Sequence, residues 1–346
     1  MKVGNTKEIN VLFIIDASTA LKEYLADNLR SLSQVNLIFP EEISEEKFLE
    51  LAPTADIIVG WRPTKELLLS AERLTLFINP GAGVQHLIDL FREVNNSRST
   101  PFLLANGHGN SYFTATHVVA LLLSLASKII PHHNWMVEGQ WRMRDDKARS
   151  IPLRDRRIGL LGYGAINQKV HAFLAGFDVE FSILRRSWDE KSESLPTPAS
   201  KYTIKELHSF LKEIDTLIIA VPLTSLTIGM IQLKELQLLG SEGLLVTVAR
   251  GPVIDEDALF KALNERFIAG AAIDVWYEYQ PEPDEDGRKY PYSKPFHTLP
   301  NVVLSPHRGA SPLDDLRRWD EVIENITQFA TSKNNFINIV NLDLEY

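Results

Sequence analysis

The segment Gly162-Tyr163-Gly164-Ala165-Ile166-Asn167 follows the short apolar run Ile158-Gly159-Leu160-Leu161 and leads into a helical pattern, INQKVHAFLAG. A strand running through such a turn into a helix is the context in which a G-x-G-x-x-G sequence binds a dinucleotide. Glycine at 162 permits the tight turn, and glycine at 164 lets the backbone approach a pyrophosphate. The helix start offers free N–H groups and the positive end of a dipole. The third glycine of the fingerprint is Asn167 here. That position serves close packing of helix on strand, so a small polar residue is expected to fit with slight splaying. The next strand-like run, VEFSILRRS, ends in Leu184-Arg185-Arg186-Ser187. Two guanidiniums stand where an acidic residue would accept hydrogen bonds from the adenosine ribose, and they suit a 2′-phosphate through bidentate charge-assisted contacts. The expected cofactor is NADP or NAD, with NADP favoured.

Several elements must position these residues. A chain of 346 residues exceeds what one hydrophobic core usually supports, so two domains with a cleft are expected. With 45% hydrophobic and 23% charged residues the composition is that of an ordinary globular protein. The formal net charge of -9 argues against a nucleic-acid partner, which needs clustered Lys and Arg. Cysteine is absent, which excludes disulfides, thiolate metal sites and cysteine nucleophiles and makes the cytoplasm the default setting. No metal is expected either, because the nine histidines lack ligand spacing apart from the adjacent pair His132-His133.

Along the chain, NVLFII, ADIIVGW and LTLFINPGAG alternate with TALKEYLADNLRSL, TKELLLSAERL and VQHLIDLFREV. This βαβ rhythm implies a parallel sheet with crossover helices. The run Val11 to Asp16 reads as a first strand rather than a signal peptide. A long helix is expected from Ser111 to Ile130, then Pro131 and an aromatic excursion, HHNWMVEGQWRM, exposed or in contact with another chain. The apolar stretch Val118 to Ile130 is shorter than the roughly 20 residues a bilayer span needs, so it reads as a buried helix and no membrane partner is expected. After Arg157 the α/β rhythm resumes with IGLLGYG, VEFSILRRS, DTLIIAVP, LLVTVARG, GAAIDVW and VVLSPH, and QPEPDEDGRKYPYSKP (280–295) reads as a long surface loop.

Leu244 to Trp276, LLVTVARGPVIDEDALFKALNERFIAGAAIDVW, presents a strand, an Ala-Arg-Gly turn, an acidic helix start and an Asp-Val strand in succession, and Ser305-Pro306-His307 follows after a late strand. In these segments the chain resembles the D-isomer-specific 2-hydroxyacid dehydrogenase family, whose members include phosphoglycerate, glyoxylate/hydroxypyruvate and formate dehydrogenases. The likeness covers nearly the whole chain. It implies two Rossmann-like doubly wound α/β domains. Residues 1–108 and 310–346 would form a discontinuous, flavodoxin-like substrate domain around an inserted NAD(P)-binding Rossmann domain, residues 109–309. It implies Arg250 and His307 as catalytic residues. Ala82 and Gly83, in NPGAGV, together with Asn110, would bind the substrate. The cofactor would meet Gly162, Tyr163, Gly164, Ala165, Ile166, Arg185, Arg186, Val221, Pro222, Thr227, Ala249, Asp274 and Gly309. A homodimer is expected from the apolar surface after Asn110.

Reduction of a ketone by hydride needs a cation near the carbonyl and carboxylate oxygens and a proton donor for the developing alkoxide. Arg250 suits the first role, since its planar fork binds a carboxylate bidentately and stays charged. His307 suits the second. In most members of the family a glutamate just before a proline pairs with this histidine and raises its pKa. Here the chain continues Tyr277-Glu278-Tyr279-Gln280-Pro281-Glu282. The position falls on Tyr279 by count from Asp274, and on Gln280 or Glu282 by the following proline, with Glu278 one residue short. The expected substrate is a small 2-oxo or 2-hydroxy acid. A glutamine at the histidine would point instead to formate- or phosphite-type oxidation, and the missing third glycine to a dinucleotide-binding regulator of weak activity.

Overall fold

A computed structural model of the protein describes residues 8–144, 146, 149–188, 194–333 and 335–346. The chain divides into two compact units, one made of Met1–Asn110 with Pro312–Tyr346 and the other of Ser111–Ser311.

The first unit is built on five parallel strands, β1 (Ile9–Phe13), β2 (Val35–Ile38), β3 (Ile57–Val59), β4 (Leu76–Asn79) and β5 (Leu103–Asn106), in the order β2-β1-β3-β4-β5. That is the flavodoxin-like order. Strand side chains alternate between two faces, and both faces here are apolar. Leu12, Ile58 and Phe77 enter one core, while Val11, Phe13, Ile57, Val59 and Ile78 enter the other. Helices on each side make this possible, as expected of a parallel sheet. The C-terminal helix Asp320–Ala330 returns to this unit, burying Val322 and Ile326 in the second of these cores.

The second unit carries seven parallel strands, β6 (Arg157–Leu161), β7 (Glu180–Arg185), β8 (Ala199–Thr203), β9 (Thr216–Ile219), β10 (Leu244–Thr247), β11 (Gly270–Ile273) and β12 (Val302–Leu304). Their order is β12-β11-β10-β9-β6-β7-β8, so the direction of winding reverses between β6 and β9. This is the Rossmann arrangement, whose ligands bind outside the carboxyl ends of the strands at that reversal. The helix Ser111–Ala126 packs Ala115, Val118, Leu122 and Leu125 against Leu160, Val246 and Ala272 of the sheet.

Some expectations need correction. The helix expected to run from Ser111 to Ile130 ends at Ala126, because Lys128 takes the left-handed conformation at φ 56°. The segment expected as an excursion begins with a second helix, Ile129–Val137, bent 64° from the first. Pro131 does not precede an irregular stretch but lies in the first turn of this helix, where a missing N–H costs little. Strands β2 and β8 escape the hydrophobic pattern because they are sheet edges with half-exposed sequences, VNLI and ASKYT. Residues 280–295 contain neither helix nor strand. They are nevertheless tied down, by the Tyr277 and Glu278 N–H groups on Pro291 O and by Glu256, which accepts from the backbone of Ser293 and Lys294. Among the described residues no single helix is long and apolar enough to cross a membrane.

Candidate active site

Because all seven strands of the second unit run parallel, the segments that follow them gather at one edge of the sheet. Gly162 follows β6, Arg185 ends β7, Val221 and Pro222 follow β9, Ala249 and Arg250 follow β10, Asp274 follows β11 and His307 follows β12. Residues scattered over more than a hundred positions of sequence thus share one edge.

At the reversal point Gly162 has φ 83°, and a Cβ there would lie 2.7 Å from Ala220 O and 2.8 Å from Val221 Cγ1. Conformation and space both require glycine. Gly164 differs, because a Cβ would meet no atom within 4 Å. Its open side is not filled by protein packing, and it precedes the ten-residue helix Ala165–Leu174. An exposed glycine in front of free helix N–H groups fits a dinucleotide pyrophosphate. Tyr163 is buried, its hydroxyl paired with His171 Nδ1 at 2.8 Å, while His171 Nε2 meets Thr197 Oγ1 at 2.8 Å. Burial pulls His171 down to about 4, so the ring is neutral, and Tyr163 can offer a ligand only its backbone. Asn167 does more than fill the place of the third glycine. It is fully buried and donates from Nδ2 to Gly162 O at 2.7 Å and Leu161 O at 3.3 Å, tying the helix to the strand end.

At the end of β7 the Arg185 guanidinium carbon lies 5.3 Å from the Trp188 ring centroid, and Lys201 Nζ lies 4.6 Å from it. Trp188 is fixed by its Nε1, which donates to Tyr202 O at 2.9 Å. Lys201 is a further cation, sharing the Trp188 ring with Arg185, that the sequence pattern did not reveal. The pairing of Ile183 with Lys201 across β7 and β8 brings it there, and the polar edge strand ASKYT was its only signal.

The anchor of the loop that carries His307 is Asp274, which is 2% exposed. Oδ1 accepts from Ser305 Oγ at 2.5 Å and from the Arg308 N–H at 2.7 Å, with His117 Nε2 at 3.3 Å. Oδ2 accepts from the Gly309 N–H at 2.9 Å. Trp276 Nε1 donates to Ser305 O at 2.8 Å. The loop is therefore held on both sides of His307, which takes the left-handed conformation at φ 56°. That conformation costs a non-glycine residue about 1–2 kcal/mol. Each hydrogen bond to a carboxylate contributes about 1.5–3 kcal/mol, so the Asp274 bonds outweigh the strain.

Arg250 is placed by its neighbour Gly251, where a Cβ would sit 2.3 Å from Trp276 O. The Ala-Arg-Gly turn therefore lies against the start of the Trp276–Tyr279 segment. Arg250 Nη1 donates to Ala249 O at 2.7 Å. Burial pulls the guanidinium pKa down and Tyr279 opposes this, yet an arginine remains charged. His307 Nδ1 lies 2.8 Å from Tyr279 Oη, with the two rings edge to face. Of the four residues left open by register, Tyr279 meets the histidine. Glu278 instead accepts from the Gln280 N–H. The amide partner that motivated formate-type chemistry is thus replaced by a phenol. Partial desolvation and the Arg250 charge pull the His307 pKa below the ordinary histidine value, against a smaller opposing pull from Asp274. Thr227 braces its own loop, accepting from the Thr224 N–H and donating to Pro222 O.

In the first unit, Ala82 and Gly83 belong to a loop that two asparagines hold. Asn79 Nδ2 donates to Gly81 O and to Gly83 O, and Asn106 Nδ2 donates to Ala82 O at 2.8 Å. Asn110 is the last residue of this part of the unit.

Burial pushes the Asp274 pKa up, but the bonds from His117, Ser305 and the backbone of Arg308 and Gly309 outweigh it and leave the pKa below the ordinary value. A depressed carboxylate stabilises the fold fully above its unfolded pKa, about 3.9, and that contribution is lost as the pH falls through the folded value. Asp274→Asn is therefore expected to lower stability by about 1–3 kcal/mol at neutral pH, with the gap to wild type closing below about pH 4. Thermal unfolding across this range checks it, and a gap independent of pH would contradict it.

The family model for "D-isomer specific 2-hydroxyacid dehydrogenase, NAD binding domain" matches residues 119–309. The chain is 32% identical over 293 residues to a glyoxylate reductase of Pyrococcus furiosus, covering 82% of this chain and 81% of that protein. It is 28% identical over 273 residues to a D-3-phosphoglycerate dehydrogenase of Archaeoglobus fulgidus, covering 78% of this chain and 48% of the other. A D-isomer specific 2-hydroxyacid dehydrogenase from Xanthobacter autotrophicus Py2, solved with NADPH, has the same fold, with a TM-score of 0.76, 23% identity and coverage of 99% of this chain and 100% of that one. These likenesses establish that the chain belongs to the D-isomer specific 2-hydroxyacid dehydrogenase family.

Proposed function

We propose that the protein is an NADPH-preferring reductase of small 2-oxo acids such as glyoxylate and hydroxypyruvate. The observation that carries this reading is that a permanent cation, Arg250, and an imidazole that feels its charge, His307, follow strands ending at the same carboxyl edge of a dinucleotide-binding sheet. The nicotinamide dinucleotide, when bound, supplies the hydride. Gly162 to Ile166 would hold its pyrophosphate, and Val221, Pro222, Ala249 and Asp274 lie on the edge that would receive the rest. Arg250 orients the substrate by its carboxylate and draws charge toward the carbonyl oxygen. His307 has Nδ1 engaged by Tyr279, so Nε2 is the atom left to exchange a proton with that oxygen. The names of the relatives, glyoxylate reductase among them, support the substrate class. A formate- or phosphite-type oxidation and a weakly active regulator are not favoured.

The preference for NADPH rests on Arg185 and Arg186 standing where a ribose-binding carboxylate was expected, with Lys201 close by. A glyoxylate/hydroxypyruvate reductase of Sinorhizobium meliloti described as NADPH-dependent shares the fold at a TM-score of 0.72, with 22% identity and coverage of 97% of this chain and 98% of that one. We also propose a homodimer in a cytoplasmic setting. Ile129, Ile130, Met136 and Val137 on one helix, with Trp141 beyond it, leave an apolar surface that a second copy would cover.

Two measurements test these readings. In a spectrophotometric panel of 2-oxo acids and formate with both cofactors, wild type is expected to reduce glyoxylate or hydroxypyruvate. Arg250→Ala should lose about 10²–10³-fold in kcat, and Arg185→Ala about tenfold in kcat/KM with NADPH but little with NADH. An inactive wild type, or a preference for NADH, would overturn the corresponding part. Light scattering after size exclusion should give twice the monomer mass, and Val137→Lys should shift it toward the monomer. A monomeric wild type would rule the dimer out.

A further inference from the structure

The partner of His307 is neither a carboxylate nor an amide, and a phenol can do what neither of those can. Tyr279 Oη lies 2.8 Å from His307 Nδ1. A phenol is the stronger donor of the pair and a neutral imidazole nitrogen the stronger acceptor, so the hydroxyl proton is directed at Nδ1. A carboxylate can only accept there, which places a proton on Nδ1 and makes Nε2 a donor only in the cationic ring.

We propose that Tyr279 is a positioning residue that holds a neutral His307 ring in the tautomer protonated at Nε2, so that it can donate to the substrate oxygen without first becoming a cation. The inference rests on the reading of His307 as the proton-transferring group. The charged and titratable groups facing the ring agree with it. Arg250, on the turn after β10, disfavours a second cation, while Asp274, after β11, favours one but is already engaged by His117, Ser305 and the loop backbone. Desolvation local to the hydroxyl holds the Tyr279 pKa above the ordinary phenol value although the residue as a whole is exposed, so the hydroxyl keeps its proton at neutral pH.

The proton balance then closes within the pair. As the substrate carbonyl is reduced, the Nε2 proton would pass to its oxygen and the Tyr279 proton would pass to Nδ1. The ring ends neutral in the other tautomer. The charge of the Arg250 guanidinium offsets part of the desolvation that disfavours the phenolate left behind. Tyr279 is 53% exposed, so water can return the proton.

The test has two arms. In protein without cofactor, labelled with 15N at histidine, the His307 signals are assigned by their loss in His307→Gln. A neutral ring protonated at Nε2 is expected throughout the neutral range, and a ring protonated at Nδ1, or a cation at neutral pH, would overturn the proposal. In the second arm, wild-type reduction of the 2-oxo acid should stay level as pH rises past the histidine pKa. Tyr279→Phe should match wild type only at acid pH and fall behind by about 10²-fold above it. Tyr279→Glu should recover part of that loss with a limb displaced to higher pH. Equal profiles for wild type and Tyr279→Phe would sink the inference alone. Full activity in His307→Gln would instead remove the reading on which it depends.

Discussion

A single buried carboxylate organises the loop that carries His307. Asp274 stands at the end of β11 and gathers the Ser305 hydroxyl, the Arg308 and Gly309 amides and the His117 ring. An ionised carboxylate in such a place is tolerable only when nearly all its acceptor capacity is used, and using it fixes the loop that carries His307. The strained φ of His307 persists because its neighbours are over-determined. Ser305 is held twice, through its hydroxyl by Asp274 and through its carbonyl by Trp276.

The other parts of the site reach this anchor by close backbone approach. Gly251 lets the Arg250 turn lie on the Trp276 carbonyl, and the Trp276 indole holds the histidine loop through Ser305 O. One short segment after β11 therefore touches the arginine turn and the histidine loop and carries the histidine's partner, Tyr279. Gly162 plays the equivalent part at the dinucleotide turn, where Ala220 and Val221 leave no space for a side chain. A parallel sheet explains why distant residues can be coupled in this way. Each strand delivers its C-terminal residue to the same edge, and the register fixes the spacing.

The features legible in the sequence were those set by local spacing or an uninterrupted pattern. The glycines at 162 and 164, the Ala-Arg-Gly turn and the Ser-Pro-His loop follow strands whose apolar runs are unmistakable. What could not be read depends on contacts distant in sequence. Tyr279 lies in a stretch without regular structure, so no periodicity fixes its register against His307, and three neighbours competed for the position. Asn167 looked like a missing glycine because its value lies in two carbonyl groups five and six residues upstream. Lys201 approaches Trp188 only once the polar edge strand β8 has paired with β7. Lys128 ends a helix by a backbone conformation that its side chain does not announce.

The Asp274 carboxylate, rather than the chain's own turn preferences, holds the histidine loop in place. Hydrogen exchange of the Arg308 and Gly309 amides, followed in wild type and in Asp274→Asn under native conditions, tests it most directly. Both amides are expected to be protected in wild type and to exchange about tenfold or more faster in the variant, since each loses a charge-assisted bond. Equal protection in the two proteins would contradict the account.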